Sequence, residues 1–499
     1  MATDLTAAPS TGPFFGGSEE PRGLRSVLAD SAVYGISIAA LPGALLLATP
    51  LIARELDPAG FGTVDVLASI VAFLMLVALL GMDSAVGRSY FDYPPGDERR
   101  RATVRFGLAV AVAVSLGLAV LLALVGAAVF AAGATGTTSA AVVAASVLIP
   151  LGSALAIARL SFLLRRQRTA YVTAAALQAI VGVGAAVGLV LAGLGPPGYF
   201  VGLAVGAVAA LGFSLGLGDL IRAPARRLDR AQMRLLLAYG LPLVPAAAAT
   251  WAVFAVDRTL IASIRDLGEA GYYAIGSKVA APMMLAISAF AIAWGPFIFN
   301  QSRARQPELR ARALTVVVAS TGVLFLPLVL FAPELVRLLG GDEFRPATRA
   351  VPGIALGWLG FAAATVLSTE FSLSRRTRVI AFATMTAGTS NVALNLVLIP
   401  PFGFVGAAWA TAASFMLLAA IYWLWERRSD PAPYRLGRLA AIAAIVAAAT
   451  VVGLLTNEGE AAIARAAGLV AGVALLLAVA ATDRAAPVER DSPEVSLGS

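Results

Sequence analysis

The chain has 499 residues, of which 59% are hydrophobic and only 13% charged, with a formal net charge of +8 and a mean hydropathy of +0.85. Soluble domains carry roughly 25% charged residues, so this composition excludes an ordinary water-soluble fold. With no Cys and no His, it also excludes a disulfide framework, thiol catalysis, Cys-type metal sites and imidazole proton shuttling.

Residues 1–29 contain Pro, Gly, Ser and the acidic pair Glu19 and Glu20 without an apolar run. They are expected to form a disordered cytoplasmic tail, and they lack the charged start and apolar stretch of a cleavable signal peptide. A membrane-crossing helix needs about 20 apolar residues, and the first six such runs lie near 30–54, 61–86, 104–131, 139–164, 170–193 and 197–221. A polar linker at 222–234 separates them from six more, near 235–263, 270–298, 313–340, 348–372, 379–400 and 403–425. Two further runs at 439–456 and 460–482 form a C-terminal helix pair within 426–482, and 483–499 is a second polar tail. The expected fold is an all-α polytopic membrane protein with about 14 transmembrane helices. Its lobes are 30–221 and 235–425.

Cytoplasmic loops retain Lys and Arg. Of the 37 basic residues, 28 are assigned to the two tails and the alternate, inner turns, among them Arg165, Arg166 and Arg168, while seven lie toward the outer side and Arg159 and Lys278 sit within spans. Both termini are therefore expected in the cytoplasm. The net positive charge reads as this topology signal plus attraction to anionic membrane lipids, with no nucleic-acid partner.

Short strings recur a little over 200 residues apart. Pro196-Pro197-Gly198-Tyr199-Phe200-Val201-Gly202 returns as Pro400-Pro401-Phe402-Gly403-Phe404-Val405-Gly406, Arg165-Arg166-Gln167-Arg168 as Arg375-Arg376-Thr377-Arg378, and Ala59-Gly60-Phe61 as Ala270-Gly271-Tyr272. Six runs per half, both entered from the cytoplasm, predict lobes related by a pseudo-twofold along the membrane normal, an arrangement that lets two lobes rock about a shared midplane site. Pro42 and Pro50 in the first run, and Pro242 and Pro245 in the seventh, interrupt equivalent helices. They are either hinges or the Pro common in membrane helices.

Three stretches resemble the polysaccharide and oligosaccharide flippase family of the multidrug/oligosaccharidyl-lipid/polysaccharide (MOP) exporter superfamily. They are Gly60-Phe61-Gly62 through Leu80-Gly81-Met82-Asp83-Ser84-Ala85, Tyr239-Gly240-Leu241-Pro242-Leu243-Val244-Pro245 through Asp257-Arg258, and Asn391-Val392-Ala393-Leu394-Asn395-Leu396-Val397-Leu398-Ile399-Pro400 with its continuation from Gly403 to Thr411. The resemblance implies a V-shaped two-lobed carrier in the bacterial cytoplasmic membrane. Such a carrier moves a polyprenyl-diphosphate-linked oligosaccharide from the cytoplasmic to the outer leaflet by alternating access, driven by an ion gradient, in cell-surface polysaccharide biosynthesis. A proton or sodium ion is the expected coupling partner, no cofactor is expected, and a monomer working beside polysaccharide assembly proteins is the expected state.

For that cargo the residues suggest a cationic cavity. Lys278, the chain's only Lys, lies well inside its run, where an unpaired charge is costly unless it faces water or a counterion. The plain alternative is snorkelling or a pair with Asp257. Arg159 and Arg88 are further cationic candidates, each close enough to a helix end to mark it instead. Glu370, Asp83 and Asp65 are carboxylates able to bind a proton or cation; for Glu370 the plain reading is a pair with Arg375 or Arg376. Asp257 and Arg258 suggest a gate or a helix-end pair, and Asn391 and Asn395, one turn apart, share a face that could meet sugar or a neighbouring helix. A multidrug exporter of the same superfamily, or a membrane-embedded polymerase or ligase, are the alternatives. Against enzymes stand the short outer gaps and the absence of any nucleotide-binding loop, metal cluster or nucleophile–base pattern.

Overall fold

The computed structural model describes residues 24–133, 136–217, 228–429, 431–455 and 462–484, and all regular structure among them is helical. The first half comprises α1 (Leu24–Glu55), α2 (Pro58–Leu79), α3 (Met82–Ser89), α4 (Glu98–Ala131), α5 (Gly136–Leu164), α6 (Arg168–Leu189) and α7 (Gly195–Leu217). The second comprises α8 (Arg230–Gly240), α9 (Val244–Ile264), α10 (Leu267–Phe299), α11 (Gln306–Leu330), α12 (Ala332–Gly340), α13 (Val351–Leu367), α14 (Thr369–Leu373) and α15 (Thr377–Ser429). The helices α16 (Leu436–Leu455) and α17 (Ala462–Arg484) follow.

Eleven helical stretches among the described residues are long and apolar enough to cross a bilayer. Two of them, 168–216 and 377–429, each carry two of the predicted runs across an internal break, and the run at 30–54 lies in α1. Large side chains such as Leu121, Leu124, Ile180 and Val397 stay exposed on the outer surface, where acyl chains rather than water would meet them. The expected tail at 1–29 is shorter than the sequence suggests, because α1 begins at Leu24, and the expected linker at 222–234 contains the start of α8. Residues 1–23, 218–227 and 485–499 lie outside the described residues.

Local chemistry at the helix ends repeats between the halves. Asp57 caps α2 by accepting from the Gly60 amide at 2.7 Å, and Asp266 caps α10 by accepting from the Glu269 amide at 2.8 Å; such caps satisfy donors that a helix start leaves free. Arg166 and Arg375 both take φ of 57°, and the next amide, of Gln167 or Arg376, reaches back to Phe162 or Phe371 at 2.8 Å, closing each helix in one way. The breaks at Gly195 (φ 60°, ψ −146°) and Gly403 (φ 58°, ψ −144°) share one conformation, which only glycine adopts without strain. These pairs lie 209, 209 and 208 residues apart. The strings aligned in the sequence lie 204, 210 and 211 apart, and the structure corrects that register. In the first half the Pro-Pro pair follows the glycine break, in the second it precedes it, so matching prolines slides the halves past each other.

Corresponding helices find corresponding neighbours: α4 on α5, α5 on α7 and α1 on α6 in the first half; α11 on α13, α13 on α15 and α9 on α15 in the second. The halves meet where α2 crosses α10. A Cβ on Gly62 would come within 1.8 Å of the Leu267 carbonyl oxygen, and a Cβ on Gly271 within 2.0 Å of the Pro58 carbonyl oxygen. Both glycines and both carbonyl residues are 209 apart, so the contact is two-fold symmetric. Small residues permit this backbone approach in membrane helices. At the Arg-rich end the halves touch again, where Gly81 and Gly240 would each bring a Cβ within 2.4 Å of the other side's backbone oxygen. Gln232 there donates to the Tyr93 hydroxyl at 3.1 Å. The C-terminal pair packs on α11, and buried Arg465 ties α17 to Glu334 through bonds of 2.7 and 3.1 Å.

Candidate functional site

One turn beyond the glycine crossing, α2 presents Asp65 to the second half. Its carboxylate accepts from Arg258 Nε of α9 at 2.6 Å, with side chains 13% and 19% exposed. Arg258 also donates to the Phe254 carbonyl at 3.0 Å and lies over the Tyr273 ring at 5.7 Å. Lys278, half-buried on α10, is within electrostatic reach of both Asp65 and Arg258. Farther along the same seam Ser69 donates to the Ala255 carbonyl at 3.0 Å, Trp251 donates to the Ser69 carbonyl at 3.2 Å, and the rings of Phe73 and Trp251 stand 4.6 Å apart. Two hollows lie elsewhere, about 470 Å³ beside the turn Arg166–Ala170 and about 330 Å³ against the outer side of α5 and α7. With Asp65 and Arg258 so little exposed, the charged cluster sits in a closed seam.

Asp257, the residue before Arg258, turns the other way, into the second half. It is 1% exposed, and its Oδ2 accepts from the hydroxyls of Tyr273 and of Thr411, the latter at 2.9 Å. Its Oδ1 is buried and accepts nothing among the described residues. Asn391 and Asn395 are fully buried nearby on α15, where Asn395 Nδ2 donates to the Asn391 side chain at 3.0 Å and its Oδ1 is left unsatisfied. Across the hairpin at Gly403, Gly406 abuts the Leu398 carbonyl, and counting back in antiparallel register places Thr411 level with the turn from Asn391 to Asn395. A buried oxygen without a donor costs free energy. A buried carboxylate oxygen and a buried amide oxygen of this kind are ligands for a hard, monovalent cation, since one carboxylate is too little charge for a divalent ion.

The first half has no counterpart. At 209 residues earlier than Asp257, Asn391 and Asn395 stand Ala48, Gly182 and Ala186, and at 208 before Thr411, the offset of the glycine breaks, stands Leu203; there the helices close up, with a Cβ on Gly202 coming within 2.1 Å of the Ala186 nitrogen.

The other predicted residues lie apart from this cluster. Arg159 stays within the first half, donating to the Ala174 carbonyl at 2.9 Å. Arg88 and Asp83 are exposed on α3, and the Arg88 guanidinium lies 5.5 Å from the Tyr239 ring across the Arg-rich contact. Glu370 pairs with Arg310 at 2.7 Å instead of Arg375 or Arg376, and Arg310 also holds Glu426 at 2.6 Å. Tyr434 donates to Glu426 at 2.5 Å; burial and that carboxylate push its phenol well above its usual range, so it remains a donor. This buried group ties α11, α14 and the end of α15 together. Tyr273, Arg310 and Glu426 were not singled out by sequence reasoning, whereas Thr411 closes the third of the resembling stretches.

A family described as polysaccharide biosynthesis protein matches residues 27–302, more than half of the chain. No curated protein matches. Among solved structures, the lipid II flippase MurJ in an inward closed conformation aligns with a TM-score of 0.71 at 13% identity, covering 92% of this chain and 99% of that one. An inward-facing multidrug resistance MATE family transporter of the MOP superfamily aligns at 0.60 and 15%, covering 82% and 99%. A ligand complex of the MATE multidrug transporter DinF-BH aligns at 0.60 and 17%, covering 82% and 97%. These likenesses are likenesses of fold.

Proposed function

We propose that the chain, which belongs to the family described as polysaccharide biosynthesis protein, is a transporter of the MOP superfamily that flips a polyprenyl-diphosphate-linked oligosaccharide from the cytoplasmic to the outer leaflet by alternating access. The Arg-rich end, with both termini, faces the cytoplasm of a bacterial cell. The observation that carries this reading is the seam between the halves, where Arg258 is bonded to Asp65 and Lys278 lies within electrostatic reach of both. When the seam parts, that carboxylate leaves with the first half, and two cations remain on the second to meet a diphosphate.

The coupling ion fits the pocket of Asp257, Asn395 and Thr411. These residues would bind a monovalent cation such as sodium through oxygens that now lack donors; the cation would supply charge neutralisation deep in the second half. The lipid tail stays in the bilayer, and the halves rock about the glycine crossings at the two ends.

The test is to delete the gene, quantify polyprenyl-linked saccharides in extracted membranes by mass spectrometry and measure surface polymer. Accumulated lipid-linked units with lost surface polymer are the expected result. Unchanged intermediates with new sensitivity to amphiphilic drugs would shift the assignment to multidrug export.

A further inference from the structure

We infer that Tyr273 is the positioning residue that links cation occupancy of the Asp257 pocket to the Asp65–Arg258 pair closing the Arg-poor end. This rests on the coupling-ion reading above. Asp257 and Arg258 are consecutive on α9 but point into different halves of the seam, and neither bonds to the other's side chain. Tyr273 of α10 touches both. Its hydroxyl donates to Asp257 Oδ2, and the face of its ring carries the Arg258 guanidinium at 5.7 Å. The phenol is almost wholly buried, so it cannot exchange Asp257 for water.

Charge supplies the direction. In the closed seam Asp65 and Asp257 stand against Arg258 and Lys278, a formally neutral set in a poorly solvated place, with Arg258 bonded to Asp65 at 2.6 Å. A cation entering the pocket takes up the Asp257 charge and leaves the set at a net positive charge, which a buried environment opposes. It also draws the Asp257 charge toward Oδ1, which weakens the bond that Oδ2 accepts from the Tyr273 hydroxyl and that fixes the tilt of the ring beneath Arg258. Both effects loosen Arg258 from Asp65. Opening toward water, or admitting an anionic headgroup, relieves the excess charge.

The chain has no Cys, so spin labels can be placed at Thr137→Cys and Glu343→Cys, both exposed at the Arg-poor end of opposite halves. Pulsed EPR distances are recorded in nanodiscs with sodium or with choline at equal ionic strength, alongside sodium-22 binding. In the otherwise unaltered chain sodium should raise the open-to-closed ratio by about fivefold or more, the lower range of ordinary couplings. Tyr273→Phe keeps the ring under Arg258 and removes only the hydroxyl. It should still bind sodium while its distances no longer respond. Asp65→Asn should open the end with or without sodium, showing that the labels report the latch. If Tyr273→Phe responds to sodium as fully as the parent, Tyr273 is not the link and the pocket reading stands. If the parent binds no sodium, or binds it without a shift toward opening, the coupling-ion reading itself is overturned.

Discussion

Adding one methyl group at the α2–α10 crossing should move the protein between its two accesses. In Gly62→Ala the new Cβ would lie 1.8 Å from the Leu267 carbonyl oxygen and 2.8 Å from the Gly271 nitrogen. An ordinary carbon–oxygen contact is about 3.3 Å or longer, so the helices must separate by about 1.5 Å there. Both offending atoms are backbone, and no rotamer change can relieve them. Overpacking of this kind costs about 1–3 kcal/mol, and the cost falls only on the state in which the Arg-poor end is shut. The open-to-closed ratio should therefore rise about 5- to 150-fold. The assay is the distance between labels at residues 137 and 343, with a thermal melt in detergent to show that the protein remains folded. Because the contact is two-fold symmetric, Gly271→Ala should reproduce the shift, whereas Gly184→Ala, with nothing within 4 Å of its Cβ, should not. A folded Gly62→Ala protein with parental distances would refute the argument that this crossing is the closure.

Lys278→Ala should abolish transport of the lipid-linked saccharide while membrane insertion is unchanged, and Lys278→Arg should retain part of it; normal transport by well-expressed Lys278→Ala would remove Lys278 from the headgroup contact. Asp257→Asn and Asn395→Leu should each weaken sodium-22 binding by about tenfold or more, in the range of ligand-sphere mutations, and unaltered binding in both would place the cation elsewhere. Arg310→Met leaves Glu370 and Glu426 buried without their shared cation and should cost about 3–5 kcal/mol of stability. It should show as a lower melting temperature, and apolar replacement of all three residues should recover most of the loss.

The spans were legible because an apolar run of membrane length has few other readings, and the Arg-rich turns marked one set of ends. Lys278 and Asp65 were legible as well, since a charge inside a run needs a partner. What the residues could not disclose was which charge meets which. Asp257 and Arg258 look like one pair in the sequence, yet successive helix positions point about 100° apart, and the structure sends one to Thr411 and the other to Asp65. Glu370 sits beside two arginines in sequence, but its partner Arg310 is supplied by another helix. The repeat was visible while its register was not, because glycine conformation, rather than the neighbouring prolines, fixes where each hairpin turns.

The packed glycines and alanines that stand in the first half where the second keeps its polar pocket also bear on energetics. A chain that is folded as two similar halves but holds a cation in only one moves a single coupling charge per cycle. Each 100 mV of membrane potential then contributes about 2.3 kcal/mol through that charge, a factor of about 50 at about 1.4 kcal/mol per tenfold, on top of what the charge of the diphosphate itself contributes. Filling Gly182 and Ala186 with Asn would not double the cation's share, because Leu203 and Ala48 offer no side-chain oxygen to complete a second pocket and the close approach at Gly202 leaves no room between the helices to hold one.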